Sequence, residues 1–424
     1  MRAIEFNFKE IYKLRERLLL LANRYKYVSI LDSNNYEQAS HSDYDLIAGF
    51  GAKSVVSSDC FSELKNHVNK GVWLFGFLSY DLKNNLESLQ SCNQDGLGFP
   101  GLVFFEPEIR VEIHNQVVKI EGDDCENFKK ALIEIEVYFP EVEVLKIKNR
   151  VTKEEYIEKI NNLKSHIQFG DVFEVNFCHE FYAENVHCNP VSVYNNLLDK
   201  SPVPFASFLK SDNLYCLGAS PERFLKKSGT KLISQPIKGT VRRGRSKKED
   251  NDQISSLKGS VKERSENVMI VDLVRNDLSK VATEGSVKVD ELFGIYSFPQ
   301  VHQMISTISC EAESERTSVD IIKKCFPMGS MTGAPKVKAM ELIEKYESTK
   351  RGLFSGAVGY IKPNGDFDFN VVIRSILYNE SNRYLSFMVG GAITSGSKAE
   401  DEYKETLLKA KAIFDVLMVE KEVE

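Results

Sequence analysis

The apolar and polar residues alternate most sharply at VFEVNF, where Phe173, Val175 and Phe177 point one way and Glu174 and Asn176 the other. That period of two predicts a strand whose polar face either meets water or lines a wet cleft. Just upstream, Thr152 and Glu155 form a capping box, and Tyr156, Ile160, Leu163 and Ile167 share one face of the helix it opens. Gly170 and Asp171 stop that helix. Further on, predicted strands at 214–219 and 224–227 flank the turn Ser220-Pro221-Glu222-Arg223. A turn at Ser228-Gly229 then feeds a strand leading to Lys238. Glu222 and Lys238 are thereby expected on neighbouring strands of an antiparallel ribbon.

The spacing predicts a helix over 261–278. A strand over 352–362, a Pro363-Asn364-Gly365 turn and a return strand over 368–376 follow, with Asp368, Asn370 and Arg374 on one face. Ser397 and Glu400 are expected to cap a last helix with the stripe Tyr403, Leu407, Ala410, Phe414 and Leu417. Toward the start, strands are expected at 27–31, 72–78, 102–105, 109–113 and 117–121, and a helix at 130–139. The charged stretch 141–150 is the best boundary. It divides an N-terminal region, 1–145, from a second region, 150–420, the two sharing one compact unit.

Composition narrows the function. A net charge of −6 argues against a nucleic-acid partner, which calls for a basic face. The eight cysteines include no CxxC pair, so neither a zinc ribbon nor a redox motif is signalled, and free thiols imply a reducing compartment. No apolar run approaches the ~18 residues of a membrane span. A cytoplasmic protein with no membrane partner is expected.

Four stretches carry candidate chemistry. In QPIKGTVRRG, Pro236 and Gly239 bracket Lys238, which is either a solvated turn residue or, if buried, a nucleophile with a depressed pKa. Glu263 and Glu266 sit at i,i+3 on one predicted helix, Glu402 and Glu405 on another. Each pair is a solvated face or half of a shared Mg²⁺ site, since Mg²⁺ takes one or two protein carboxylates plus waters and substrate oxygens. In GSMTGAPK, Thr332 or Gly333 is placed at an N-cap with Pro335 and Lys336 following, a helix start suited to a carboxylate or a phosphate. Arg374 is a carboxylate clamp or a structural ion-pair partner, and His302 reads as a satisfied core histidine.

Taken together these stretches resemble the chorismate-utilising enzymes, the family of anthranilate synthase component I and aminodeoxychorismate synthase component I. The matching segments are SPERF (220–224), PIKGTVRRG (236–244), ERSENVMIVDLVRNDL (263–278), GSMTGAPK (329–336), SGAVGY (355–360), DFNVVIRS (368–375) and GGAITSGS–EDEYKET (390–406). LDSNN (31–35) and GFLSYDLKNNLE (76–87) match more loosely. The resemblance implies an α+β fold of two large packed antiparallel β-sheets flanked by helices, with the site between the sheets. It implies that Lys238 attacks chorismate, that Glu222 is the general acid, and that Glu266 and Glu405, supported by Glu263 and Glu402, carry Mg²⁺. It places Arg374, Tyr360 and the Gly390-Gly391-Ala392 backbone around the enolpyruvyl carboxylate, and Thr332, Lys336 and His302 around the ring. PIKGT resembles the aminodeoxychorismate-forming members, whereas anthranilate synthases resemble PIAGT. Ammonia is then expected from a separate glutamine amidotransferase subunit, because Tyr215-Cys216-Leu217-Gly218 lacks the rest of a glutaminase signature. Glu174 departs from the Gln of amine-transferring members and the Lys of isochorismate-forming ones. Ala392 and Ser375 are small departures from Gly and Thr.

Overall fold

The computed structural model describes residues 2–8, 10–34, 36, 42–143, 145–298 and 301–417. Asn35 and the last three residues of the expected second region lie outside them. Among the described residues, twelve strands form one sheet and ten another, every strand pair antiparallel apart from an isolated bridge. The α+β expectation of two large antiparallel sheets holds. Strands from both sides of the charged stretch 141–150 enter both sheets. Tyr27–Asp32 pairs with Phe205–Ser211 in the first, and Leu74–Leu78 pairs with Ala357–Ile361 in the second.

The alternation of side chains sorts the first sheet into two faces. Leu385, Phe387 and Val389 pack with Leu18, Phe128, Leu197 and Ile413, so the helices Ile11–Leu21, Cys125–Glu134, Pro190–Lys200 and Ala399–Val416 cover the outer face. Met388, Cys216 and Leu377 point the other way and join Phe77, Phe104, Leu225 and Phe369 of the second sheet in the inter-sheet core. Cys178 belongs to that core, and Glu174 and Asn176 lie on its side of the strand Glu174–Ala183. Both are buried, at 1% and 7% exposure. The polar face read from VFEVNF therefore faces the second sheet.

The helix Lys153–Phe169 has the capping box at Thr152 and Glu155 and ends on left-handed Gly170. Three expectations are corrected. The early helix spans Cys125–Glu134 rather than 130–139. The last helix spans Ala399–Val416 without a side-chain cap, because the Ser397 hydroxyl accepts from the Thr394 N–H and closes the turn before it. The segment expected as one return strand is two. Phe367–Asn370 lies in the second sheet and Ser375–Asn379 in the first, and the chain crosses between them through 371–374. Arg374 stands at the end of that crossing with φ +51°, a left-handed backbone unusual for a long side chain.

Candidate active site

The strand Ile237–Arg242 pairs with Val301–Glu311, and its register slips between Ile237 and Thr240. That bulge, with Gly239 at φ +93°, re-aims Lys238. A Cβ on Gly239 would lie 3.0 Å from Glu263 Oε2, so the glycine lets the helix Val261–Ser279 approach. Lys238 Nζ donates to Glu174 Oε1 at 3.0 Å, with the lysine side chain 11% exposed. Burial pulls the ammonium down, but the charges of Glu174, Glu266 and Glu222 outweigh it and hold the group above the ordinary lysine value. The depressed pKa expected for a buried lysine is thus corrected. The sequence shows one lysine between Pro and Gly, while the fold adds three carboxylates.

Glu222 sits in the turn before the strand Arg223–Ser228, at 4% exposure. Burial pushes its carboxyl up to about 7, against the pull of the Ser330 hydroxyl and the charges of Lys238 and Arg374. A carboxyl poised there populates both its protonated and its ionised form near neutral pH and can hand over a proton. The Arg374 guanidinium is half-buried, and among the described residues only Glu222 offsets its desolvation. It makes no hydrogen bond or ion pair within the described residues, so an anion can occupy its donors.

The four glutamates come from two helices. Ser260 caps Val261–Ser279 by accepting from the Glu263 N–H, which fixes where Glu263 and Glu266 project. Glu266 is 8% exposed, burial pushes its carboxyl up to about 7, and its Oε1 has no hydrogen-bond partner. Burial likewise raises Glu263. The Lys262 ammonium lies 3.8 Å from Glu266 Oε1 and 3.5 Å from Glu402 Oε1, bridging the two helices. Glu405 pairs with Lys409 at 2.8 Å, which lowers its pKa. Among the described residues no group of three or more acidic, His or Cys side chains converges as a metal cage. The Glu266 oxygen that lacks a hydrogen-bond donor, and the lysine ammonium drawn between Glu266 and Glu402, fit a Mg²⁺ held by few carboxylates and completed by substrate and water.

Gly390, Gly391 and Ala392 pair with Cys178, Phe177 and Asn176. A Cβ on Gly391 would stand 3.5 Å from both Glu402 Oε2 and Lys409 Nζ, and Lys409 donates to the Gly390 carbonyl at 2.9 Å. This backbone therefore borders the glutamates.

Four expected site residues are engaged elsewhere. Tyr360 packs against Trp73, Phe75 and Tyr44 and lines a separate pocket with Asp32, Asp368 and Asn370. The chain crossing at 371–374 parts it from Arg374. Lys336 donates to Asp277 at 2.5 Å and to the Pro327 carbonyl at 2.8 Å, and its helix Lys336–Tyr346 starts after Pro335 instead of at Thr332 or Gly333. His302 is fully buried between Ser297 Oγ at 2.7 Å and Asp250 Oδ1 at 2.9 Å, the satisfied core histidine of the bland expectation. The Thr332 hydroxyl donates to the Gly329 carbonyl at 3.1 Å, although its own carbonyl accepts from Asn176 N–H and ties the loop to the Glu174 strand. Sequence reasoning missed Arg351. Fully buried with Glu347, it donates to the carbonyls of Met331 and Asn176, locking that loop and strand together. Their i,i+4 spacing was the available signal.

A buried carboxyl raised to about 7, a buried lysine, an arginine unpaired within the described residues and glutamates from two flanking helices define an enzyme site for a small anionic acid. The family model described as chorismate binding enzyme matches residues 24–415, and the chain belongs to that family. It is 33% identical over 347 residues to aminodeoxychorismate synthase component 1 of Escherichia coli (strain K12), covering 81% of this chain and 76% of that one. It is 34% identical over 355 residues to the anthranilate synthase component I-like protein of Synechocystis, covering 82% and 73%. Anthranilate synthase component I from Streptococcus pneumoniae TIGR4 superposes with a TM-score of 0.75 at 24% identity, over 97% and 92% of the two chains. The chain is thus a chorismate-utilising enzyme.

Proposed function

We propose that the protein is the chorismate-aminating component of aminodeoxychorismate synthase. It converts chorismate and ammonia to 4-amino-4-deoxychorismate, which serves 4-aminobenzoate and folate synthesis in the cytoplasm, with ammonia supplied by a separate glutamine amidotransferase subunit. The observation that carries this is Lys238 beside Glu174 and within the field of Glu222, a nucleophile and an acid in one cleft. Lys238 passes a proton to Glu174 Oε1, and its neutral amine attacks ring carbon 2. The two ring double bonds shift toward carbon 4, whose C–O bond breaks as Glu222 protonates the departing hydroxyl to water. Ammonia then bonds to carbon 4, the double bonds shift back, and Lys238 leaves as an amine that recovers its proton from Glu174.

Arg374 and the Gly390-Gly391-Ala392 backbone hold the substrate carboxylates, and Thr332 supports the ring through its loop. Glu266 and Glu405, with Glu263 and Glu402, would hold Mg²⁺, which draws electron density through the ring carboxylate.

A second reading is anthranilate synthase component I, favoured by the name of the Synechocystis relative and opposed by Lys238. Product identification with chorismate and ammonium salt, with and without Mg²⁺, separates the two. Aminodeoxychorismate is expected, and fluorescent anthranilate would transfer the chain to the second reading.

A further inference from the structure

The segment GFLSYDLKNNLE takes no part in the chemistry above, yet its side chains reach the loop beside Glu222 through one arginine. The Tyr80 N–H donates to the Gly352 carbonyl at 2.7 Å, and Asp81 Oδ2 accepts from the Gly352 N–H at 2.9 Å. Next to that junction, the fully buried Tyr80 ring lies 4.6 Å from the Arg351 guanidinium carbon and 5.2 Å from Lys83 Nζ. The Lys83 side chain is itself fully buried and donates to Glu344 Oε1 at 2.8 Å. Arg351 spends all five of its N–H donors. Two go to Glu347, at 2.9 and 2.6 Å, and one to Ser355 Oγ at 3.3 Å. The other two reach the carbonyls of Met331 at 2.6 Å and Asn176 at 2.8 Å.

The strand Glu174–Ala183 pairs on this side with Gly333–Ala334 at one end and Lys148–Asn149 at the other. Between them its edge is met by side chains, Arg351 on the Asn176 carbonyl and Glu347 Oε1 on the Cys178 N–H at 2.8 Å. The ion pair stands where a neighbouring strand would, and its free donor grips the turn Gly329–Met331. That turn carries Ser330, which lines one cavity with Glu222 and whose hydroxyl favours the ionised form of Glu222. We infer that Arg351 is a positioning residue for the proton-transfer step: it clamps Gly329–Met331 to the sheet edge so that Ser330 stays against Glu222, and Tyr80 and Lys83 hold the clamp. The inference rests on the role of Glu222 in the function proposed above. The other groups facing Glu222 are fixed from elsewhere. Lys238 and Arg374 come from other segments, and in the shared cavity Asp277 is paired with Lys336 and Lys280, Arg223 with Asp368, and Cys325 stays a thiol because burial raises it. Slack in the clamp therefore reaches Glu222 through Ser330. A lysine at 351 would still neutralise Glu347, but it has no planar fork to span a carboxylate and two carbonyls at once.

The test compares Arg351→Lys, Ser330→Ala and the double variant. Two readouts are taken: kcat and KM for chorismate at saturating ammonium, and the substrate-free ¹³C titration of the Glu222 carboxyl, assigned by its loss in Glu222→Gln. Arg351→Lys is expected to lower kcat about 10- to 100-fold, the scale of a misplaced catalytic group, with KM for chorismate within about twofold. Its Glu222 titration should move upward, as in Ser330→Ala, because the carboxylate loses a donor. The double variant should move it no further. Tyr80→Leu should shift both readouts the same way to a smaller extent, and it decides the matter if Arg351→Lys fails to fold. An unmoved Glu222 titration in Arg351→Lys or in Ser330→Ala, an unchanged kcat in Arg351→Lys, or shifts that add in the double variant would each overturn the inference. A wild-type protein that forms no amino product refutes the proposed function instead, while the titration still tests the clamp.

Discussion

Replacing Glu222 by Gln tests the electrostatics of the cleft through stability, with no substrate present. Burial has raised this carboxyl from 4.5 to about 7. That displacement corresponds to about 3 kcal/mol between the protonated and ionised forms. The unfolded chain releases the proton near 4.5 and the folded chain near 7. Between those values the folded state binds more protons, so stability falls as pH rises, and the loss is complete above pH 7. Glutamine has the same shape and does not titrate. Urea unfolding should therefore give nearly equal stabilities for the two proteins at pH 4. At pH 8 the variant should be more stable, by up to about 3 kcal/mol. Its turnover should meanwhile fall about 100- to 10,000-fold, because an amide cannot protonate a leaving hydroxyl. A variant equal to or less stable than wild type at pH 8 would refute the argument, since it would mean that the native carboxylate is comfortably solvated or paired.

A paired substitution tests the division between the two cavities. Arg374→Gln should raise KM for chorismate about 10- to 100-fold, the scale of a lost charge-assisted contact, whereas Tyr360→Phe should leave it within about twofold. A large KM effect at Tyr360 would place that side chain back at the substrate.

What the sequence made legible was local. The Thr152–Glu155 box, the hairpin at 363–365 and the two ExxE spacings are each decided within a few residues, and the structure has them where the pattern put them. Period two could not reveal that the run around Arg374 changes sheets. Its apolar neighbours stay buried on both sides of the crossing, so the pattern reads as one strand and wrongly joins Arg374 to Asp368 and Tyr360. Lys336 and His302 were hidden for a different reason. A charged or polar residue entering the interior looks the same in sequence whether its partner is a ligand or Asp277 and Asp250. The charge state of Lys238 depends on carboxylates 16 to 64 residues away along the chain, at Glu222, Glu266 and Glu174. Lys262 and Lys409 were legible only in part, because each stands four residues from a glutamate it pairs with, Glu266 and Glu405, while nothing in the spacing shows Lys262 reaching Glu402 on another helix.

The central claim is that Lys238 becomes covalently attached to the substrate. The most direct measurement is the mass of the peptide containing Lys238 after incubation with chorismate and Mg²⁺ in the absence of ammonia, followed by acid quench and digestion. The account predicts that this peptide gains the mass of chorismate less one water. The gain should vanish on adding ammonium salt and be absent in Lys238→Ala, which should also form no aminodeoxychorismate. An unmodified Lys238 peptide together with an unchanged rate in Lys238→Ala would contradict it.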